Sequence, residues 1–272
     1  MRLDVGVDLG FRVLSAPGER HCLGYHLARG PESSDHIACP TQTTAERGYQ
    51  CGLCFARDDL RFMHDFHRSG NAPEGLLHYL AQEHWLYVAT FADGATKVGT
   101  ASALRKWHRL AEQGAVAAQY VACATDGRIV RVLEDAVTRH AGLQQAVRAA
   151  AKTSALAAPL DSNTLDKING GRARGVRQLL GPGINIDGFA VTDEQWKPPS
   201  SWAKVLGARA QLYPHPLETG EHGLLIEAML GSCALAVVGG DRLLADLSRL
   251  KGKRLELGDF RSQPAAVQHA LF

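Results

Sequence analysis

Four cysteines in the first quarter of the chain carry the plainest chemical signal. Cys51-Gly52-Leu53-Cys54 is a CxxC knuckle. Its spacing lets two thiolates bind one tetrahedral Zn²⁺, and Gly52 frees the backbone for the tight turn. Cys39 and Cys22 lie upstream and would complete a four-sulfur site. Two other readings compete. A redox pair would need a surrounding βαβ pattern, which this segment lacks. Alternatively Cys22 is a buried thiol and one of His21, His26, His36, His64 or His67 takes its place. The expectation is a structural Zn²⁺ on Cys22, Cys39, Cys51 and Cys54. A closed site of this kind would supply folding free energy to a segment whose own core is too small.

A second set of residues has the chemistry to act on phosphate. His84–Phe91 reads as a strand, Ala92–Ala95 as a turn and Thr96–Thr100 as a second strand. A helix follows from Ser102 to a stop at Gly114, then a third strand at Gln119–Ala124 and a second helix from about Gly127. Tyr87 falls on the first strand and Lys97-Val98-Gly99 on the second. Arg105, Lys106, His108 and Arg109 fall on the first helix, with Leu104, Trp107, Leu110 and Ala111 sharing its apolar face. Arg105 and Arg109 are four apart and can aim two guanidinium forks outward, a geometry suited to phosphate. On the second helix Ile129, Val130, Leu133 and Val137 form the apolar stripe, with Glu134 on its flank. Each residue also has an ordinary reading: Arg105 as an exposed helix position, Tyr87 as a strand aromatic, Lys97 as a strand end, Glu134 as a carboxylate tied to an arginine. Lys97 would offer charge to phosphate, or transfer protons if burial and neighbouring arginines lower its pKa.

These residues, Leu86-Tyr87, Lys97-Val98-Gly99, Arg109-Leu110-Ala111-Glu112-Gln113-Gly114-Ala115 and Glu134, resemble the GIY-YIG nuclease superfamily, and within it a bacterial branch designated DUF2797. Lys97 stands where the nucleases have a tyrosine, and Ser102 where the branch has a basic residue. The branch also carries cysteine pairs upstream of its first strand. The resemblance implies a metal-dependent nuclease acting on nucleic-acid phosphodiesters. Mg²⁺ or Mn²⁺ would sit on Glu134, with Asp135 the fallback. Tyr87 would help a water attack, and Arg109 would hold the developing charge. The other implied outcome is a nucleic-acid-binding protein that keeps the scaffold and has lost the chemistry.

The elements that must position these groups give an α+β fold class. Residues 1–75 read as a β and zinc-binding module, opening on the alternation of Leu3, Val5, Val7 and Leu9. Residues 76–155 read as the central domain, a small antiparallel sheet with flanking helices that is GIY-YIG-like if the resemblance holds. Residues 156–200 read as a helical and linker segment, with 187–201 an ordered linker, and 201–272 as a β-rich C-terminal module. Cys123 and Cys233 lie in apolar runs and read as core thiols.

The chain has 272 residues and a formal net charge of only +2, so no overall electrostatic footprint announces nucleic acid. Between residues 97 and 180, however, thirteen basic residues stand against six acidic ones. With Arg172 and Arg174 beside Gly170-Gly171, this region is the expected face for DNA or RNA. No apolar run is long enough for a signal peptide or a membrane span, so the expected location is cytoplasmic, with no membrane partner.

Overall fold

The computed structural model describes residues 6–31, 33–181 and 184–263; Leu3 and Val5 of the opening alternation lie outside them. Strand β1 (Asp8–Val13) buries Leu9 and Phe11 and leaves Asp8 and Arg12 exposed, the period-2 pattern of a strand with one buried face. A ribbon of β2 (Tyr25–Ala28) and β3 (Ser34–Ile37) follows. Three short helices come next, α1 (Gly52–Arg57), α2 (Phe66–Ser69) and α3 (Glu74–Leu80).

The central elements are β4 (His84–Thr90), β5 (Thr96–Ser102), α4 (Lys106–Gln113), β6 (Ala117–Ala124) and α5 (Gly127–Ala141). The β4–β5 hairpin closes through Asp93-Gly94. The Asp93 carboxylate accepts from Ala95 N at 2.9 Å, and Gly94 takes φ +84°. Asp126 caps α5 by accepting from Ile129 N, and Gly142 at φ +65° stops it.

Then come α6 (Ala149–Ala155), α7 (Ser162–Leu180), β7 (Phe189–Gln195) and α8 (Trp202–Leu206). The chain continues through β8 (Gln211–Leu212), β9 (Glu221–Leu230), β10 (Cys233–Val238), β11 (Asp241–Asp246) and β12 (Leu255–Leu257).

The fold is α+β. A four-stranded antiparallel sheet runs β5-β4-β6-β7, and a six-stranded sheet runs β12-β1-β9-β10-β11-β8. Helices α5 and α7 cover one face of the four-stranded sheet, burying Val130, Leu133, Val137, Ala173 and Val176 against Leu86, Val88, Val98 and Val121. Buried Asn169 on α7 locks this layer by donating to Val88 O at 3.1 Å and Thr90 Oγ1 at 3.0 Å. The other face carries Tyr87, Ala89 and Tyr120 and packs on Leu230, Leu235 and Leu244 of the six-stranded sheet and on Trp202 of α8.

Three expectations need correction. Residues 1–75 are not one module: β1 pairs with β9 and β12, with Leu9 opposite Leu224 and Phe11 opposite His222. Leu9 and Phe11 need an apolar wall, and the cysteine segment has none to give. Residues 187–201 are not a linker: β7 adds a fourth strand to the central sheet along β6. Its side chains are mostly exposed, so no apolar alternation announces it. The α4 face is also narrower than expected. Leu110 is fully buried, whereas Leu104 and Trp107 are exposed. Trp107 instead donates to Lys197 O at 3.0 Å and lies against Trp196, which donates to Trp107 O. These contacts staple α4 to the end of β7 and fix the direction of its arginines.

Candidate functional site

Cys22 precedes β2, Cys39 follows β3, and Cys51 and Cys54 sit at the start of α1. Their four sulfurs all lie within 4.8 Å of one another, and all four residues are buried and free of disulfides. A tetrahedron with Zn–S of ~2.3 Å has edges of ~3.8 Å, and Cys39 and Cys51 approach to 4.0 Å. Backbone amides of Cys51 and Gly24 point at the Cys22 sulfur at 3.2 and 3.4 Å, as suits a thiolate. Gly24 is held at φ +88°, where a Cβ would strike Ile37 O at 2.0 Å. The Thr41 hydroxyl lies 3.4 Å from the Cys39 sulfur and helps pull that thiol down to about 6. Burial pushes the Cys54 thiol up, a cost that a bound cation would reverse. Around the sulfurs the apolar cluster consists of these four cysteines with, among the described residues, Tyr25 packed against them. Such a cluster could hold a metal ion such as zinc, and no histidine joins it among the described residues; the side chain of His64 lies outside them.

The second site forms at the outer edge of β5, where Val98 N donates to Gln144 O at 3.0 Å. Tyr87 lies opposite Gly99 and Lys97 opposite Ala89, so all four point to one face. The Tyr87 hydroxyl accepts from Gln113 Nε2 at 2.9 Å. Burial raises its pKa, opposed by the charge of Arg109. Lys97 Nζ donates to Gln145 O at 3.0 Å and lies 5.8 Å from the Tyr87 ring centre. Burial first, then the charges of Arg109 and Lys152, lower its pKa to about 8. Glu134 on α5 is 3% exposed, and its Oε2 accepts from Arg131 one turn earlier. Glu134 acts electrostatically on both Tyr87 and Lys97, so these three groups form one cluster with Arg109.

A cleft of about 690 Å³ opens beside this cluster. Arg105, Arg109 and Arg131 line it, together with Ala28, Gly30, Pro31, Ser33 and Ser34 of the cysteine module and Tyr79 and Leu80 of α3. His84 and Ser102 also line it. Tyr87, Lys97 and Glu134 do not line the cleft; they are buried, at 1%, 7% and 3% exposure, within the electrostatic reach of Arg109 or of groups it acts on.

Other candidates are placed elsewhere. Lys106 is stacked over Trp85 at 3.6 Å and bonded to Glu194 at 2.7 Å, which ties α4 to β7. Arg105 pairs with Glu112 at the cleft mouth. His108 is exposed and edge-on to Trp107, outside the cleft. Arg172 and Arg174 are exposed on α7; Arg174 borders a separate hollow with Gln119 and Asp166. Asp135 is also apart, bonded to Arg68 at 2.7 Å and to His67 at 3.1 Å, with its pKa lowered to about 2. Cys233 is a buried core thiol, whereas Cys123 is half-buried.

Sequence reasoning did not single out Arg131. Its signal was present as the i,i+3 spacing to Glu134 on one helix. His84 and Ser102 meet as register partners of the β4–β5 hairpin, but nothing in the sequence marked their polar atoms as unsatisfied or placed Tyr79 of α3 against the His84 ring. No family model, curated protein or solved structure matches the chain.

Proposed function

We propose that the chain acts on nucleic-acid phosphodiesters at this cleft, as a metal-dependent nuclease-like protein with a GIY-YIG-type site. We also propose that zinc on Cys22, Cys39, Cys51 and Cys54 is structural and holds the cysteine module's share of the cleft lining. The observation that carries the reading is Arg109, which lines the cleft and acts on both Tyr87 and Lys97. The succession of hairpin, basic helix, third strand and Glu134-bearing helix, which the resemblance implies, supports it.

Arg109 and Arg131 would clamp the phosphate and hold the charge that grows on it. The Tyr87 hydroxyl, held by Gln113, would orient an attacking water. Lys97, with its pKa near 8, is matched to proton transfer near neutral pH. Glu134 is the carboxylate that would hold Mg²⁺ or Mn²⁺, and Arg131 already donates to its Oε2. The ion's contribution when bound would be to stabilise the leaving oxygen.

Incubation with Mg²⁺ or Mn²⁺ and a panel of DNA and RNA substrates, structured tRNA included, tests the reading. Cleavage should be lost in Glu134→Gln with binding nearly intact, and slowed on the order of 10²-fold in Arg109→Lys. Wild-type protein inert on every substrate would overturn it. The second reading, a nucleic-acid-binding protein without chemistry, is favoured by the Arg131–Glu134 pair, which already neutralises the carboxylate, and by the burial of Tyr87 and Lys97.

A further inference from the structure

The floor of the cleft holds two polar atoms that the proposed chemistry does not use. His84 and Ser102 are register partners at one end of the β4–β5 pair, 4% and 1% exposed, and both line the cleft. His84 Nε2 and Ser102 Oγ are buried and make no hydrogen bond among the described residues. His84 Nδ1 lies 2.8 Å from Gln82 O. A carbonyl only accepts, so the proton sits on Nδ1 and Nε2 is left as an acceptor. A buried polar group without a partner is costly, and here two such groups belong to register partners that line one cleft, where a ligand can supply the missing bonds.

The rest of the lining divides by chemistry. Tyr79 stands edge-on to the His84 ring at 5.5 Å and presents an aromatic surface, with Leu60, Met63 and Leu104 continuing the apolar side. Arg105, Arg109 and Arg131 make the charged side. An aromatic platform, a hydrogen-bonding floor and a guanidinium rim are what a base, its edge and its phosphate each require. The volume, about 690 Å³, falls within the range of small-molecule sites. A base inside a continuous duplex has both faces stacked and cannot reach such a floor.

We propose that the cleft receives one unstacked nucleotide, so that the substrate is a single strand or an extruded nucleotide and not continuous duplex. The base lies against Tyr79 with its edge toward His84 and Ser102, and the phosphate meets Arg109 and Arg131. This rests on the phosphodiester reading and adds the form of the substrate.

Fluorescence anisotropy at low salt tests it, with a short labelled strand offered as single-stranded DNA, as single-stranded RNA and as duplex. The DNA and RNA arms tell which sugar the cleft prefers. Either single strand should bind at least about tenfold more tightly than duplex. Tyr79→Ala should weaken single-strand binding about tenfold, as loss of one stacked base does, while Tyr79→Phe, which keeps the ring, should retain it. Ser102→Ala, a small change, should weaken it several-fold. A 5′-mononucleotide should displace the strand at lower concentration than inorganic phosphate. Equal affinity for duplex with no effect of Tyr79→Ala, or displacement by phosphate as readily as by the mononucleotide, would overturn the nucleotide pocket. Salt-sensitive binding surviving in that result would leave the phosphodiester reading standing. No binding of any form at low salt would overturn both.

Discussion

Gly99 lies directly opposite Tyr87 across the β4–β5 pair, and a Cβ at position 99 would come within 2.4 Å of the Tyr87 hydroxyl oxygen. The tyrosine ring therefore lies flat over β5, and the missing side chain is what lets its hydroxyl reach Gln113 and the field of Arg109. Gly99→Ala should lower the melting temperature, in line with overpacking costs of ~1–3 kcal/mol, and should push the ring off the strand. In a Tyr87→Leu background the same change should cost much less. Additive losses in that double-mutant cycle would show that the ring does not rest on Gly99.

The cysteine module has almost no apolar core beyond the sulfurs, so metal content should govern its folding. Asp58 and Asp59, just past Cys54, accept from His26 N at 2.8 Å and Ala28 N at 2.9 Å, and so tie the cysteine cluster to β2 and the cleft lining. Elemental analysis of freshly purified protein should find about one zinc per chain. Chelation or Cys51→Ser should then raise amide exchange through β2 and β3 and leave β9–β11 protected. Metal-free protein with the module still protected would refute a structural zinc.

Much of this architecture was legible because its signals are local. The CxxC spacing, the Asp93-Gly94 turn, the Asp126 cap and the Val130, Leu133, Val137 stripe are each set by neighbours in sequence. The four cysteines could be grouped because thiols bring their own reason to meet. What stayed hidden depends on distant pairings. Strand β1 crosses to β9, more than two hundred residues away, because Phe11 needs its wall. Strand β7 completes an edge while exposing most of its side chains. The basic excess between residues 97 and 180 overstated the available charge, because Lys106 and Arg177 are already bonded to other side chains, to Glu194 and to Gln119. Arg109 and Arg131 face the cleft, but only the packing of α4 and α5 on either side of β5 brings them together.

The Arg131–Glu134 pair is nearly out of water, at 20% and 4% side-chain exposure. Arg131→Met would leave a buried carboxylate alone and should destabilise by ~3–5 kcal/mol in urea unfolding. Glu134→Gln keeps an acceptor for the guanidinium and should cost less. Replacing both by Met should recover most of the single-variant loss. If Arg131→Met unfolds like wild type, the ion pair contributes nothing and Glu134 is satisfied by another group.

Lys97 and Lys152 both have pKa values lowered to about 8, with burial the first cause in each and Arg109 the next. The sign follows from which state holds more protons. Between about 8 and the ordinary lysine value of 10.5 the native lysine is neutral while the unfolded one is charged. The unfolded state therefore binds more protons, and stability should rise with pH across that window. Below about pH 8 both states are charged, and the full cost of a buried ammonium is present. Anion binding should run the opposite way, because affinity for a polyanion falls as the two amines lose charge through pH 8. Lys97→Met should flatten part of both dependences and leave the remainder to Lys152. Urea midpoints and anisotropy measured over the same pH series separate the two trends. A stability that falls between pH 8 and 10 in wild type, unchanged in Lys97→Met, would show that Lys97 is not the buried, charge-crowded amine at the β5 edge.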